Sequence, residues 1–164
     1  MSTEVSRDRF RLAMGRFATG VTVVTTFSGG NDHAMTANAL ASVSMDPLLV
    51  LVCVEVDARF HDAIAESKVW GVSMLGASQR PVAEWLSVQG RPLHGQLDRV
   101  AHRRGEVTGV ALLEGALATI ECRTTDMHPA GDHSIVVGEV VSLSSAEHPE
   151  DALLYYRSRY GTLS

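Results

Sequence analysis

The sequence predicts a mainly β protein, an antiparallel barrel-like architecture with a few short flanking helices. Three observations carry this reading. Runs rich in β-branched residues recur, among them Val21 to Phe27 and Leu48 to Val54. Turn formers cluster between such runs, as in Ser28-Gly29-Gly30-Asn31-Asp32. Helical periodicity is confined to short stretches and does not alternate with strands as βαβ units would require. With 164 residues, 45% hydrophobic and 20% charged, the chain reads as a single domain over residues 1–164, long enough to bury roughly two thirds of its unfolded surface.

Taken in order, residues 6 to 18 read as a helix. Phe10, Met14 and Phe17 form one apolar stripe, Ser6 is the cap and Gly20 the stop. The stripe predicts a structural task, closing one end of a sheet or meeting another subunit. Val21 to Phe27 follows as a strand, and the turn at 28–32 leads by a hairpin into His33 to Glu55. Asp57 then caps a short helix on which Phe60 and Ile64 share a face. Val69 to Leu75 is a strand, and Ser78 caps a second helix carrying Val82, Trp85 and Leu86. From Ser87 to Gly109 periodicity is lost, which predicts a long, partly mobile connection. Ala116 to Arg123 alternates as a half-buried strand. After a loop at 125–133 comes the last long strand, Ser134 to Leu143. Ile135, Val137, Val141 and Leu143 lie on one of its faces, interrupted by Glu139, which calls for a partner or water. The tail from Asp151 to Tyr160 is too apolar to hang free.

Composition excludes several function classes. A net charge of −5 with scattered basic residues predicts neither a nucleic-acid nor a membrane partner. The N-terminus lacks the apolar core of a secretory signal and no stretch has the length of a membrane span. Cys53 and Cys122 each sit in an apolar run, which suits reduced, buried thiols in a cytoplasmic protein, a disulfide between core strands being the alternative. The histidines are dispersed without zinc-like spacing, so no metal site is expected. No Rossmann glycine fingerprint, P-loop, H-E-x-x-H or G-x-S-x-G motif is present.

The chemically suggestive stretch is His33 to Glu55. Its first half is built from small and hydroxylated residues, where a strand centre normally carries bulky ones. Thr36, Asn38, Ser42 and Ser44 offer hydrogen bonds, and the small neighbours leave room for a planar group against the backbone. A small-residue strand packed on a helix is the competing reading. Arg59 at a helix N-terminus could receive a phosphate, or stand solvated on a connecting helix. In Gly131-Asp132-His133 the glycine permits a sharp turn and Asp132 can orient the His133 imidazole.

The order TAN, SVS, DP and an apolar strand, followed by GDHSIVVGEV, resembles the short-chain flavin reductases, the reductase components of two-component flavin-dependent monooxygenases. FRLAMGRFATGVTVVTT, ARFHDAIAES, GALATIECR and LLYYRSRYGTL extend the likeness over nearly the whole chain. The resemblance implies an FMN-binding split β-barrel, Greek-key and antiparallel, forming a homodimer. It implies hydride transfer from NADH or NADPH to FMN or FAD, and a separate monooxygenase that takes the reduced flavin. It places Met35, Thr36, Ala37, Asn38 and Ala39, with Ser42, Val43 and Ser44, facing the flavin. Cys53 and Val54 would give backbone contacts, Arg59 and Phe60 would lie near the phosphate, and His133 near the nicotinamide. The sequence departs from the family pattern at Ser73, where Asn is commoner, and at Asp57-Ala58, where a Ser-rich pair is commoner. A split-barrel flavoprotein that retains FMN and acts on another substrate, or a non-catalytic flavin-binding module, are the rival readings.

Overall fold

The computed structural model describes residues 4–163. Helix α1 (Arg7–Met14) leads through β1 (Thr19–Gly20) to the strands β2 (Thr22–Ser28), β3 (Asn31–Ala37), β4 (Leu40–Met45) and β5 (Leu48–Glu55). Helix α2 (Arg59–Ser67), β6 (Val69–Met74) and α3 (Arg80–Ser87) follow. The chain ends with β7 (His102–Arg104), β8 (Ala111–Leu113), β9 (Ala118–Ala130), β10 (His133–Ser145), β11 (Leu154–Tyr156) and β12 (Arg159–Gly161). Seven strands form one sheet in the order β3-β2-β6-β9-β10-β5-β4, every pair antiparallel. The sheet curls without closing, a split barrel whose edge strands are β3 and β4.

Successive residues of a strand face opposite ways, and β2 shows why its sequence does not alternate. Val24 enters the barrel core with Val52, Ile64, Trp70, Cys122 and Val136. Its neighbour Val23 enters a second core with Leu75, Leu86, Leu97, Leu113 and Leu153, outside the barrel wall. A strand buried on both faces favours a continuous apolar or β-branched run. Trp70 fills the barrel against Gly138, where an added Cβ would stand 2.5 Å from the indole ring. No residue at that position larger than glycine fits without displacing Trp70.

Several expectations are corrected. Helix α1 has the predicted Ser6 cap, which accepts from the Arg9 N–H, but it ends at Gly15 instead of Gly20. It buries none of its residues, and Phe10 and Phe17 are 60% and 69% exposed, so the stripe does not close the sheet. Helix α2 is preceded by Ala58 with no side-chain cap, so Asp57 does not serve. Ser78 lies inside a 3-10 turn, Ala77–Gln79, ahead of α3; its N–H and hydroxyl both donate to Glu150.

The stretch 87–109 is organised. Gln96, Leu97 and Val100 are buried, and β7 pairs with β8 in a hairpin that the sequence reading missed. That hairpin lies over β9, so both faces of Thr119–Cys122 are buried and the half-buried alternation fails there. The predicted loop at 125–133 is mostly strand, because β9 continues to Ala130 paired with β10. On β10 the buried face holds Ser134, Val136 and Gly138; Ile135 and Val137 are half-buried on the other, and Glu139 is exposed and needs no partner. The tail forms a small sheet with β1, in the order β1-β11-β12. Cys53 and Cys122 are free thiols.

Candidate functional site

A cleft of ≈ 580 Å³ opens beside the β3 edge of the sheet. Met35 to Ala39, Cys53, Arg59, Phe60 and His133 all line it. Residues more than ninety positions apart thus meet because β10 pairs with β5, setting His133 opposite Glu55, while the chain beyond β5 turns directly into α2. Val54 is fully buried in the barrel core and does not line the cleft. Ser42, Val43 and Ser44 lie on the edge strand β4, whose pairing with β5 shifts register between Ser42 and Ser44. They do not reach this cleft within one chain.

Three features make the cleft suited to a flat, phosphorylated ligand. The first is an open sheet edge. The Ala34 N–H donates to Gln96 Oε1 at 3.1 Å, and the Ala34 carbonyl accepts from Arg91 Nη2 at 2.7 Å, so the main chain of Ala34 points outward. Antiparallel alternation turns the Thr36 N–H and carbonyl the same way, beside the small side chains of Ala37 and Ala39. The Thr36 side chain itself donates to the Ala83 carbonyl at 2.7 Å, which ties α3 to this edge.

The second feature is the N-terminus of α2. No side chain caps it, and Ala58, Arg59 and Phe60 face the cleft. Its unpaired N–H groups and the positive end of the helix form an anion-binding position. The residues present therefore fit a flavin with its phosphate toward Arg59. The third feature is the far wall, Leu86 to Arg91 with Gln96, which sequence reasoning missed. A lone arginine between Gly90 and Pro92 carries no periodic signal; only the return of this segment against β3 makes it part of the cleft.

His133 is half exposed, and its Nδ1 lies 2.7 Å from Asp132 Oδ1. The carboxylate can only accept, so Nδ1 carries a proton and the ring is held in one orientation. That hydrogen bond, and then the charge of His133, hold the exposed Asp132 carboxyl below its ordinary range. The next residue, Ser134, places its hydroxyl 2.8 Å from His61 Nε2, and the Val56 N–H donates to the Asp132 carbonyl at 3.0 Å. The turn presenting His133 is thus anchored on both sides. Ser73, the departure from the family pattern, is fully buried, and its hydroxyl accepts from the Leu113 N–H at 2.9 Å. It serves β8 instead of the cleft. Among the described residues no cluster of His, Cys, Asp and Glu could hold a metal ion, and no helix is long and apolar enough to cross a membrane.

A split antiparallel barrel with an open cleft at its edge, an uncapped helix N-terminus and an oriented histidine defines a class of β proteins suited to a flat, phosphorylated ligand. The chain belongs to the flavin reductase like domain family, which matches residues 14–164. It is 40% identical over 167 residues to an NADH-dependent flavin reductase of a Rhodococcus species, covering 99% of this chain and 90% of that protein. BorF, the flavin reductase component of a bacterial two-component tryptophan halogenase, superposes with a TM-score of 0.90 at 43% identity, covering 96% of this chain and 98% of that one. The NADH:FAD oxidoreductase SgcE6 of Streptomyces globisporus C-1027 gives a TM-score of 0.92 at 34% identity over 100% and 98% of the two chains.

Proposed function

We propose that this protein is an NADH-dependent flavin reductase that reduces FMN or FAD and hands the reduced flavin to a separate monooxygenase or halogenase. The observation that carries the reading is the single cleft in which Met35 to Ala39, Arg59, Phe60 and His133 converge. The relatives named for the same reaction support it. In this reading Thr36 and its small neighbours hold the flat ring system by main-chain hydrogen bonds. Arg59 and the α2 N-terminus hold the phosphate, and His133 orients the nicotinamide.

The two bound rings supply the hydride transfer between themselves, from nicotinamide C4 to flavin N5. The chain's part is to align them and exclude competing geometries. Asp132 keeps His133 in one orientation, so His133 acts by positioning. The exposed apolar residues Phe10, Met14 and Phe17 on and after α1 support a homodimer that covers them. The two free thiols support a cytoplasmic protein, and the sharing of β2 between both cores supports a single domain.

The test is NADH oxidation by purified protein with increasing FMN or FAD. Saturable turnover with free flavin is expected; no oxidation with either flavin overturns the reading. His133→Ala is expected to raise KM for NADH by about tenfold, the worth of one lost positioning hydrogen bond, while flavin affinity changes less.

A further inference from the structure

His133 is carried on the tip of a hairpin. Gly131 and Asp132 alone join β9 to β10, with Ala130 paired to His133, and both turn residues are exposed. Gly131 takes the positive φ of 67° that the first position of a two-residue hairpin turn calls for. A tip of this kind moves unless something outside the hairpin holds it. Two hydrogen bonds do so here. The Val56 N–H donates to the Asp132 carbonyl, which extends the pairing of β10 with β5 by one residue. The second bond is between side chains: His61 Nε2 lies 2.8 Å from the Ser134 hydroxyl.

That second bond joins two parts of the site across 73 positions of sequence. His61 is in the first turn of α2 with Arg59 and Phe60, which face the cleft. Ser134 is buried and directly follows His133. Neither His61 nor Ser134 lines the cleft, so neither is placed to touch a ligand there. The other nitrogen of the His61 ring faces the exposed Asp62 carboxylate at 3.8 Å, too far for a hydrogen bond. Ser134 therefore orients this ring. A pin that merely fastened α2 can sit anywhere along it, and Phe60, Ala63 and Ile64 already hold the helix by burial. What His61 adds is the position of the helix start relative to the tip that carries His133. Hydride transfer needs the reacting atoms within about 3.5 Å, a tolerance that an untethered tip would not keep.

We infer that His61 is a positioning residue for the nicotinamide: through Ser134 it holds His133 in fixed register with the start of α2, so that flavin and nicotinamide meet at one spacing. This rests on the flavin-reductase reading. The test separates flavin binding from nicotinamide use. FMN affinity is read by fluorescence quenching without NADH, and kcat and KM for NADH are measured at saturating FMN. The proteins compared are the wild type, His61→Ala, His61→Gln, Ser134→Ala and the double variant that combines His61→Ala with Ser134→Ala.

His61→Ala is expected to lower kcat/KM for NADH about tenfold, the usual worth of one lost hydrogen bond, while FMN affinity stays within about twofold. His61→Gln keeps a polar group near the position of Nε2 and should restore most of the loss. Ser134→Ala should reproduce it, and the double variant should lose no more than either single one, as two residues acting through one bond require. FMN affinity that falls as far as NADH use would make His61 an anchor of the helix only and overturn the inference. Losses that add in the double variant overturn it too, and so does a lowered Tm with NADH kinetics unchanged. Should His61→Ala fail to fold, Ser134→Ala removes a single oxygen atom and carries the test alone: an unaltered kcat/KM for NADH then refutes the tether. A wild type that binds no flavin at all sinks the reductase reading, and the inference with it.

Discussion

Glu121 and Arg91 are both charged side chains set into the protein, and their surroundings differ. Glu121, only 2% exposed, lies on β9 beneath the turn that joins β7 to β8. It accepts from the Val107 N–H at 3.2 Å, and from the Thr108 N–H and hydroxyl at 2.6 Å each. Burial pushes its carboxyl up, but these hydrogen bonds, with one from Ser142, together hold it below the ordinary value. Gly105 leaves the space, since a Cβ there would stand 2.4 Å from the carboxylate. Arg91 lines an open cleft with an unpartnered Nε and a second arginine beside it. A charge whose hydrogen-bonding capacity is met within the chain is structural. One lining an open cleft, with no counter-ion among the described residues, is left short of partners by the chain itself.

The largest effect that sharpens this contrast is at Glu121. Glu121→Ala strands the donors of Val107 and Thr108 and should cost about 3 kcal/mol of stability, read by chemical denaturation. The ratio of FMN to riboflavin affinity should stay as it was; a change in that ratio would break the division between the two regions.

The converse variant is Ala39→Trp at the cleft. It should lower flavin affinity at least about tenfold by filling the space, while an exposed position keeps stability within about 0.5 kcal/mol. Flavin affinity unaltered by the indole would remove Ala39 from the site.

The two thiols extend the comparison to β5 and β9, the strands on either side of β10 in the same barrel. Cys122 is fully buried in the core, and burial, then the charge of Glu121, push its thiol up to about 12. It should resist iodoacetamide in the native protein. Cys53 lines the cleft and should be alkylated, more slowly when FMN is present. Mass spectrometry of native and unfolded samples reads both, and labelling of Cys122 first would contradict the packing.

The smallest effect is a pH dependence. Because the folded Glu121 carboxyl is held below its ordinary value, it contributes stability that is present above the unfolded pKa. That contribution is lost as pH falls through the folded one. Stability should therefore decline in acid, and Glu121→Gln should flatten that decline. An equal slope in both proteins would place the acid sensitivity elsewhere.

Much of the fold was legible because local chemistry and tertiary context agree. The β-branched run of β2, the turn at 28–32, the Ser6 cap and the apolar face of α2 are fixed by propensity and period. The candidate site was legible in part. The family likeness pointed to the stretch from Met35 to Ala39, to Arg59 and to His133, and all of these line the cleft. Ser42 to Ser44 and Val54 do not, because a register shift and core burial turn them elsewhere within the chain. The β7–β8 hairpin escaped notice because its strands are three residues each, too short for a period to show.

By itself, then, the sequence determined the β-branched run of β2, the apolar face of α2 and the pairing of a glycine turn with Asp132 and His133. These depend on neighbours in the chain. Only the tertiary structure decided that Arg91 joins Arg59, that Ser73 serves β8 instead of the cleft, and that Glu121 is roofed by residues 105–110. Each of these is a meeting of distant segments, and side chains left unpaired locally have their partners chosen by sheet order and register.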